Sequence, residues 1–257
     1  NQTINAASLS ASVKHLKDGV TIFFKPSTVV LNEKTWTIEN NGELTISRSI
    51  VDASEIRISN GEQQIRISSI PSELGNSHDI IATLHRVNLG DIIPFIFTNP
   101  RIQGITSGEV TVEDPLGKIK VYVNAQTEQT RFEEDSIGIT SLNGYWDNAR
   151  KRANFNLSSD NKDYLFDING SVNLEDSANQ IIDATADLRD TRVSLVKTYL
   201  RSVFSNMDGK AKGKLRIVGK VDEPDLVGDI KLTEAGVNVD YTGVYYKLED
   251  PTISFKP

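Results

Sequence analysis

Apolar residues along most of this chain recur at every second position, in short runs separated by turn-forming residues. Residues 228–255, GDIKLTEAGVNVDYTGVYYKLEDPTISF, show the pattern. Ile230 and Leu232 alternate with polar neighbours, as do Val237, Val239 and Tyr241, then Val244, Tyr246 and Leu248, then Ile253 and Phe255. A period of two predicts strands with one face turned from water. The same reading places strands over 10–24, 28–31, 35–39, 43–50, 53–59 and 63–70. Further strands follow over 109–114, 118–125, 136–142, 153–159, 164–170 and 181–188. Asn40-Asn41-Gly42 and Asn60-Gly61 are hairpin signals. Short connections predict antiparallel neighbours in a meander.

Two segments break the alternation. Residues 190–204, DTRVSLVKTYLRSVF, place Val193, Val196, Leu200, Val203 and Phe204 on one helical face, with Asp190 or Thr191 as N-cap. Residues 87–97, VNLGDIIPFIF, form a second apolar insert, which Pro94 limits to about a turn of helix. Each insert leads into a Gly-x-x-x-Gly strand (Gly104/Gly108, Gly209/Gly213), an acidic-Pro turn, a further Gly and another strand. The copies, over about 83–140 and 186–255, lie about a hundred residues apart and make an imperfect internal repeat. In a strand context these glycines read as turn punctuation rather than as a helix-packing motif.

Composition narrows the reading. At 257 residues the chain can bury a real core, yet only 38% of it is hydrophobic, which suits sheets with one wet face. The net charge of −7, with no basic run, argues against a nucleic-acid partner and against bulk attraction to anionic lipid. There are no cysteines, so disulfides and zinc–thiolate sites are excluded. The longest apolar run, IIPFIF at 92–97, falls well short of a membrane span. The chain begins at Asn1 and its one methionine is Met207, from which a fragment of a longer chain, residues 1–257 as one elongated segment, is expected.

The phrase GKAKGKLRIVGKVDEPDLVGDIKLTEAGVNVDYTGVYYKLEDPTISF resembles the C-terminal region of the TamB family. Gly213, Leu215, Ile217, Gly219, Pro224, Gly228, Ile230, Leu232, Val237, Val239 and Tyr241 carry the likeness, and residues 35–70 resemble strand phrases of Bacteroidetes-type members. The family is related to AsmA-like bridge-type lipid transporters. The resemblance implies an all-β fold, a long curled antiparallel sheet forming an apolar half-pipe (a β-taco) with short helical inserts. It implies a periplasmic segment of an inner-membrane-anchored bridge in a Gram-negative bacterium. Such a bridge shields phospholipid acyl chains in transit and supports outer-membrane protein assembly beside a TamA-like β-barrel partner. The groove lining would then be Ile119, Val121, Val123, Leu215, Ile217, Ile230, Leu232, Val237, Val239 and Tyr241, with Lys118, Lys120, Arg216, Lys231 and Asn238 turned outwards. A strand of about eight residues spans roughly 27 Å, and about sixteen strands at about 4.8 Å spacing would stack over roughly 75 Å. Unpaired sheet edges would favour end-to-end self-association, or capping by the two inserts.

On pattern alone the alternative stays open that these strands form a β-sandwich, as in a non-enzymatic cell-surface or adhesin-type module. A glycan platform in such a module needs exposed coplanar aromatics, and the two tryptophans, Trp36 and Trp146, are far apart in sequence. Enzymatic chemistry finds no foothold. His15, His78 and His85 are scattered without metal-ligand spacing, GITSG at 104–108 lacks a nucleophile-elbow context, and EED and DEPD lack calcium-loop spacing. A non-enzymatic protein without cofactor or metal is expected.

Overall fold

The structure, a computed structural model, describes residues 4–73, 77–95, 100–175, 180–195, 204–221, 223–239, 241 and 243–256. It is 74% strand and 4% helix, and sixteen strands join in one antiparallel sheet that does not close. In chain order the strands are β1 (Ile4–Ser8), β2 (Ala11–His15), β3 (Gly19–Phe24), β4 (Ser27–Leu31), β5 (Lys34–Ile38), β6 (Glu43–Ser47) and β7 (Val51–Ser54). Then come β8 (Ile56–Asn60), β9 (Gln63–Pro71), β10 (His78–Asn88), β11 (Ile102–Glu113), β12 (Lys120–Phe132), β13 (Asp135–Asp147) and β14 (Arg152–Asn161). The last are β15 (Tyr164–Asn173), β16 (Ile181–Arg192), β17 (Phe204–Lys220), β18 (Glu223–Val239), β19 (Val244–Lys247) and β20 (Thr252–Phe255).

From β8 to β19 neighbouring strands follow chain order, as a meander requires. Before β8 they do not. The large sheet begins β1-β4-β5-β8, while β2, β3, β6 and β7 form a separate four-stranded sheet. Hairpins thus go alternately to two sheets, a departure from the single ribbon expected. The crossing from β7 to β8 shows how: the one intervening residue, Glu55, takes φ 51° and turns the chain out of one sheet into the other.

The chain divides into two compact units, Asn1–Glu128 with Asn143–Lys151, and Gln129–Leu142 with Arg152–Pro257. In the second unit the core lies on one face of β15–β18. Register sets Phe166, Leu188, Gly213, Ile230 and Ile253 side by side across five strands. The next row holds Ile168, Ala186, Leu215, Gly228 and Phe255, and the next Gly170, Ala184, Ile217 and Leu226. Each bulky side chain has a glycine or alanine beside it or one row away. Leu215, Ile230 and Leu232 are sealed from solvent, each contributing about 1.5–3 kcal/mol of burial.

The opposite face of the second unit is charged. Arg216 clamps Asp183 through two bonds of 3.0 and 2.9 Å, which hold the Asp183 carboxyl below the usual carboxylate range. Lys214 lies 3.7 Å from Asp187, and Lys231 lies 3.6 Å from Asp250. Such exposed pairs stabilise little, but they mark the face that meets water.

In the first unit, β9, β10 and β11 align Ile65, Leu84 and Gly108, then Ile67, Ala82 and Val110, then Ser69, Ile80 and Val112. The two units share one device. In β10 the ladder slips between Leu84 and Val87, and in β16 it slips between Leu188 and Thr191. Leu84 and Leu188 each face a glycine, Gly108 or Gly213, and an apolar insert follows each strand. The repeat in the sequence is thus a bulged hairpin whose loop carries an insert.

The first insert forms a turn of helix, α1 (Leu89–Ile92), then a 3₁₀ turn at Ile93–Phe95, with Asn88 as its cap accepting from the Gly90 N–H. The Asp91 carboxylate is buried and receives Lys34 at 2.8 Å and Gln63 at 3.4 Å. The second insert differs from the helix expected over 190–204. Asp190 and Thr191, the candidate caps, are strand residues that end β16, Ser194 and Leu195 are helical, and 196–203 lie outside the described residues. Strand pairing with β15 and β17 outcompetes the local cap signal.

Gly213 tests the interlock. Its φ is 148°, and a Cβ there would run into the Asp229 carbonyl. Gly213→Ala is expected to lower unfolding stability by about 1–3 kcal/mol in urea. Gly61→Ala, where the φ is 59° but nothing lies within 4 Å, should lose only about 1 kcal/mol.

Candidate functional site

The two repeated hairpins bury one end of each apolar face and leave the other end half-open. Near the second insert, Ala211, Leu215, Ile230, Leu232, Ala235 and Val237 are closed off, and Val193 of the insert is 1% exposed. Away from the insert the next rows loosen. Ala153, Val172, Ile182, Gly219 and Pro224 stand in one row, and apart from Gly170 and the sealed Ala184, the adjoining row adds Phe155, Ile217 and Leu226. These apolar side chains are half-buried and share the face of the core.

The first unit repeats the arrangement. Val87, beside the insert, is 2% exposed. Ile80, Val110 and Val112, farther along the hairpin, are half-buried. Val121 and Val123 alternate with the exposed Tyr122 and Asn124, and so share a face with buried Ala125. Gly108 backs onto Ala125, which places β12 in the same interlock.

The ten positions expected to line a groove therefore separate. Leu215, Ile230, Leu232 and Val237 are core of the second unit, and Ile217 packs at its border. Ile119, Val121 and Val123 are half-buried in the first unit. Tyr241 is 98% exposed and lines nothing, because it sits in the turn between β18 and β19. For Val239 only the backbone pairings with Phe204 and Val244 are described. Lys118, Arg216 and Lys231 are exposed, while Lys120 and Asn238 are half-buried. Periodicity missed Val112 in the first unit and Ile182 and Leu226 in the second, since only the register across strands shows that each extends the strip of its own unit.

Polar chemistry gathers beside the inserts. A cleft of about 330 Å³ in the second unit is lined by Asp135, Arg192, Ser194, Asp208, Gly209, Lys210 and Glu234. Asp135 accepts the Tyr164 hydroxyl at 2.8 Å and the Ser194 hydroxyl at 2.6 Å, pinning the start of the insert. Burial, then the bond to Asp135, pushes the Tyr164 phenol above its ordinary range. Lys210 is held by Asp190 at 3.0 Å and Asp163 at 3.5 Å. Among the described residues no three His, Cys, Asp or Glu side chains converge as a metal site requires, and no helix is long and apolar enough to cross a membrane.

Sealed and half-open positions should respond differently to charge. Ile230→Asp places a carboxylate among fully enclosed side chains and is expected to remove several kcal/mol of stability, unfolding the second unit. Ile182→Asp can keep its carboxylate in water and should lose no more than about 1–2 kcal/mol. Urea titration followed by circular dichroism separates them; equal losses would mean that the strip is core.

No protein-family model, no curated protein and no solved structure matches this chain, so its resemblance to the TamB family rests on sequence phrases alone.

Proposed function

We propose that this chain is a periplasmic segment of a TamB-like bridge between membranes, and that its half-open aliphatic strips shield lipid acyl chains. The observation that carries the reading is the strip itself, found in both units at the same place in the repeated hairpin. It is Val110, Val112, Val121 and Val123 in one unit and Val172, Ile182, Ile217 and Leu226 in the other. Aliphatic side chains without polar groups offer no directional chemistry, which suits a hydrocarbon chain that must be covered without being fixed. The phospholipid cargo, the non-enzymatic role and the TamA-like barrel partner belong to this proposal and draw on the sequence resemblance.

A second reading, a non-enzymatic surface module, draws on the four-stranded sheet of the first unit. It loses one of its aromatics for a glycan platform, because Trp36 is 2% exposed.

Photo-crosslinking separates the two. With benzoylphenylalanine at Val123 or Ile182, the purified chain mixed with vesicles of phosphatidylethanolamine and phosphatidylglycerol is expected to capture lipid. The same group at the neighbouring outward positions Asn124 or Asp183 should capture little. Equal capture at inward and outward positions would sink the acyl-chain reading.

A further inference from the structure

The aliphatic strip of the first unit ends, at the strand ends away from α1, in polar side chains. The face of β9 and β10 that carries Ile67, Ala82 and Ile80 continues through Ser69 to Pro71 and His78. Onto it comes Asp52 from β7, the edge strand of the four-stranded sheet. His78 Nδ1 stands 2.7 Å from Asp52 Oδ1, and the Ser69 hydroxyl donates to the same oxygen. The Ala53 N–H donates to Ser69 Oγ at 3.1 Å, and Ala53 is 3% exposed. These bonds tie β7 to β9 and β10.

The surroundings leave His78 as the charge that acts on Asp52. From β6, Thr45 sits opposite Asp52 and bonds Thr21 rather than the carboxylate. Asp79 points to the other face of β10, where it accepts the Asp114 N–H at 3.3 Å. Arg48, at the β6–β7 turn, and Glu73, after β9, are exposed and pair with neither member among the described residues. The bond from Ser69, then the bond and charge of His78, hold the Asp52 carboxyl below its ordinary range, with burial opposing.

We propose that Asp52, Ser69 and His78 form a proton-operated clasp that holds the edge of the four-stranded sheet over the end of the aliphatic strip. The access role rests on the acyl-chain reading above; the clasp itself does not. The sign follows from the two groups. A carboxyl with a lowered pKa contributes above its unfolded value and fails only as pH falls through its folded one, so Asp52 stays charged in mildly acidic and neutral solution. Histidine is the side chain whose charge ordinarily changes between about pH 5 and 8. The imidazolium–carboxylate bond is therefore strong in mild acid and weakens as pH rises, since a charge-assisted bond is roughly twice as strong as a neutral one.

Amide hydrogen exchange on the purified chain tests this at about pH 5.5 and about pH 8, corrected for intrinsic chemistry. Protection of the Ala53 amide and of β7 is expected to fall about three- to tenfold between the two in the wild type. It should stay flat in His78→Gln and follow the wild type in His85→Gln, while β15 and β16 do not change in any of them. Asp52→Asn should give low protection at both values. A wild type without pH dependence, or His78→Gln with the full dependence, overturns the clasp. Lipid capture at Val112, measured in parallel, is expected to rise at the higher pH. Capture that stays constant while β7 protection falls overturns the access role. No capture at either pH sinks the acyl-chain reading and leaves the clasp standing on its protection data.

Discussion

An antiparallel sheet places side chains of adjacent strands about 5 Å apart on one face, so the sizes of facing residues decide how that face packs. This chain sets glycine among its bulky residues. Gly213 separates Leu188 from Ile230, and Gly228 separates Leu215 from Phe255. The Leu215 side chain leans over Gly228, its Cδ2 3.6 Å from where a Cβ would stand. Because the small residues of one row sit beside the large residues of the next, the face closes on itself and brings Leu215, Ile230 and Leu232 out of water. A one-residue slip of β17 against β18 would turn every one of these side chains to the charged face.

The bulge before each insert follows from the same constraint. A strand that is to end in an apolar loop over its own core must turn that loop onto the packed face. An extra residue at Arg86, with φ 51°, or at Arg189–Asp190 does so. Each insert is then fixed by a carboxylate, Asp91 for the first and Asp135 for the second. An insert entering at one end of a hairpin covers the rows nearest to it. The rows at the far end, about 7 Å apart along the strand, remain half-open.

Much of this was legible in the residues. Alternation located β4, β5, β6, β9 and the strands from β11 to β16, but it missed β10 and ran β2 with β3, and β7 with β8, into single strands. Asn60-Gly61 located a hairpin, and Pro94 limited the first insert to a turn. What alternation cannot carry is the partner of each strand. β2, β3, β6 and β7 form their own sheet, and one of the crossings between the sheets uses Glu55 in a left-handed conformation that its side chain does not favour. Asn32 and Glu33, both at positive φ between β4 and β5, make a hairpin turn without glycine. The candidate lining was half legible for a related reason. Periodicity gives the face of a residue but not its distance from an insert, so Ile230 and Val123 read alike, although one is sealed and the other half-open. Asp52, Ser69 and His78 carried no signal, since β7 and β9 meet only through the second sheet.

Why the far rows stay open is a matter of topology rather than composition. Sealing them would need another layer. The first unit has such a layer in part: β7 reaches the end of the strip and is held there by Asp52 and Ser69. The second unit shows no counterpart among its described residues, and its row of Val172, Ile182 and Pro224 keeps the same half-buried character. Each aliphatic side chain left exposed forfeits up to about 1.5–3 kcal/mol. That two hairpins with different inserts leave the same rows open makes the opening a property of the repeated unit. On the acyl-chain proposal, this repeated half-buried aliphatic row would be the surface that receives hydrocarbon.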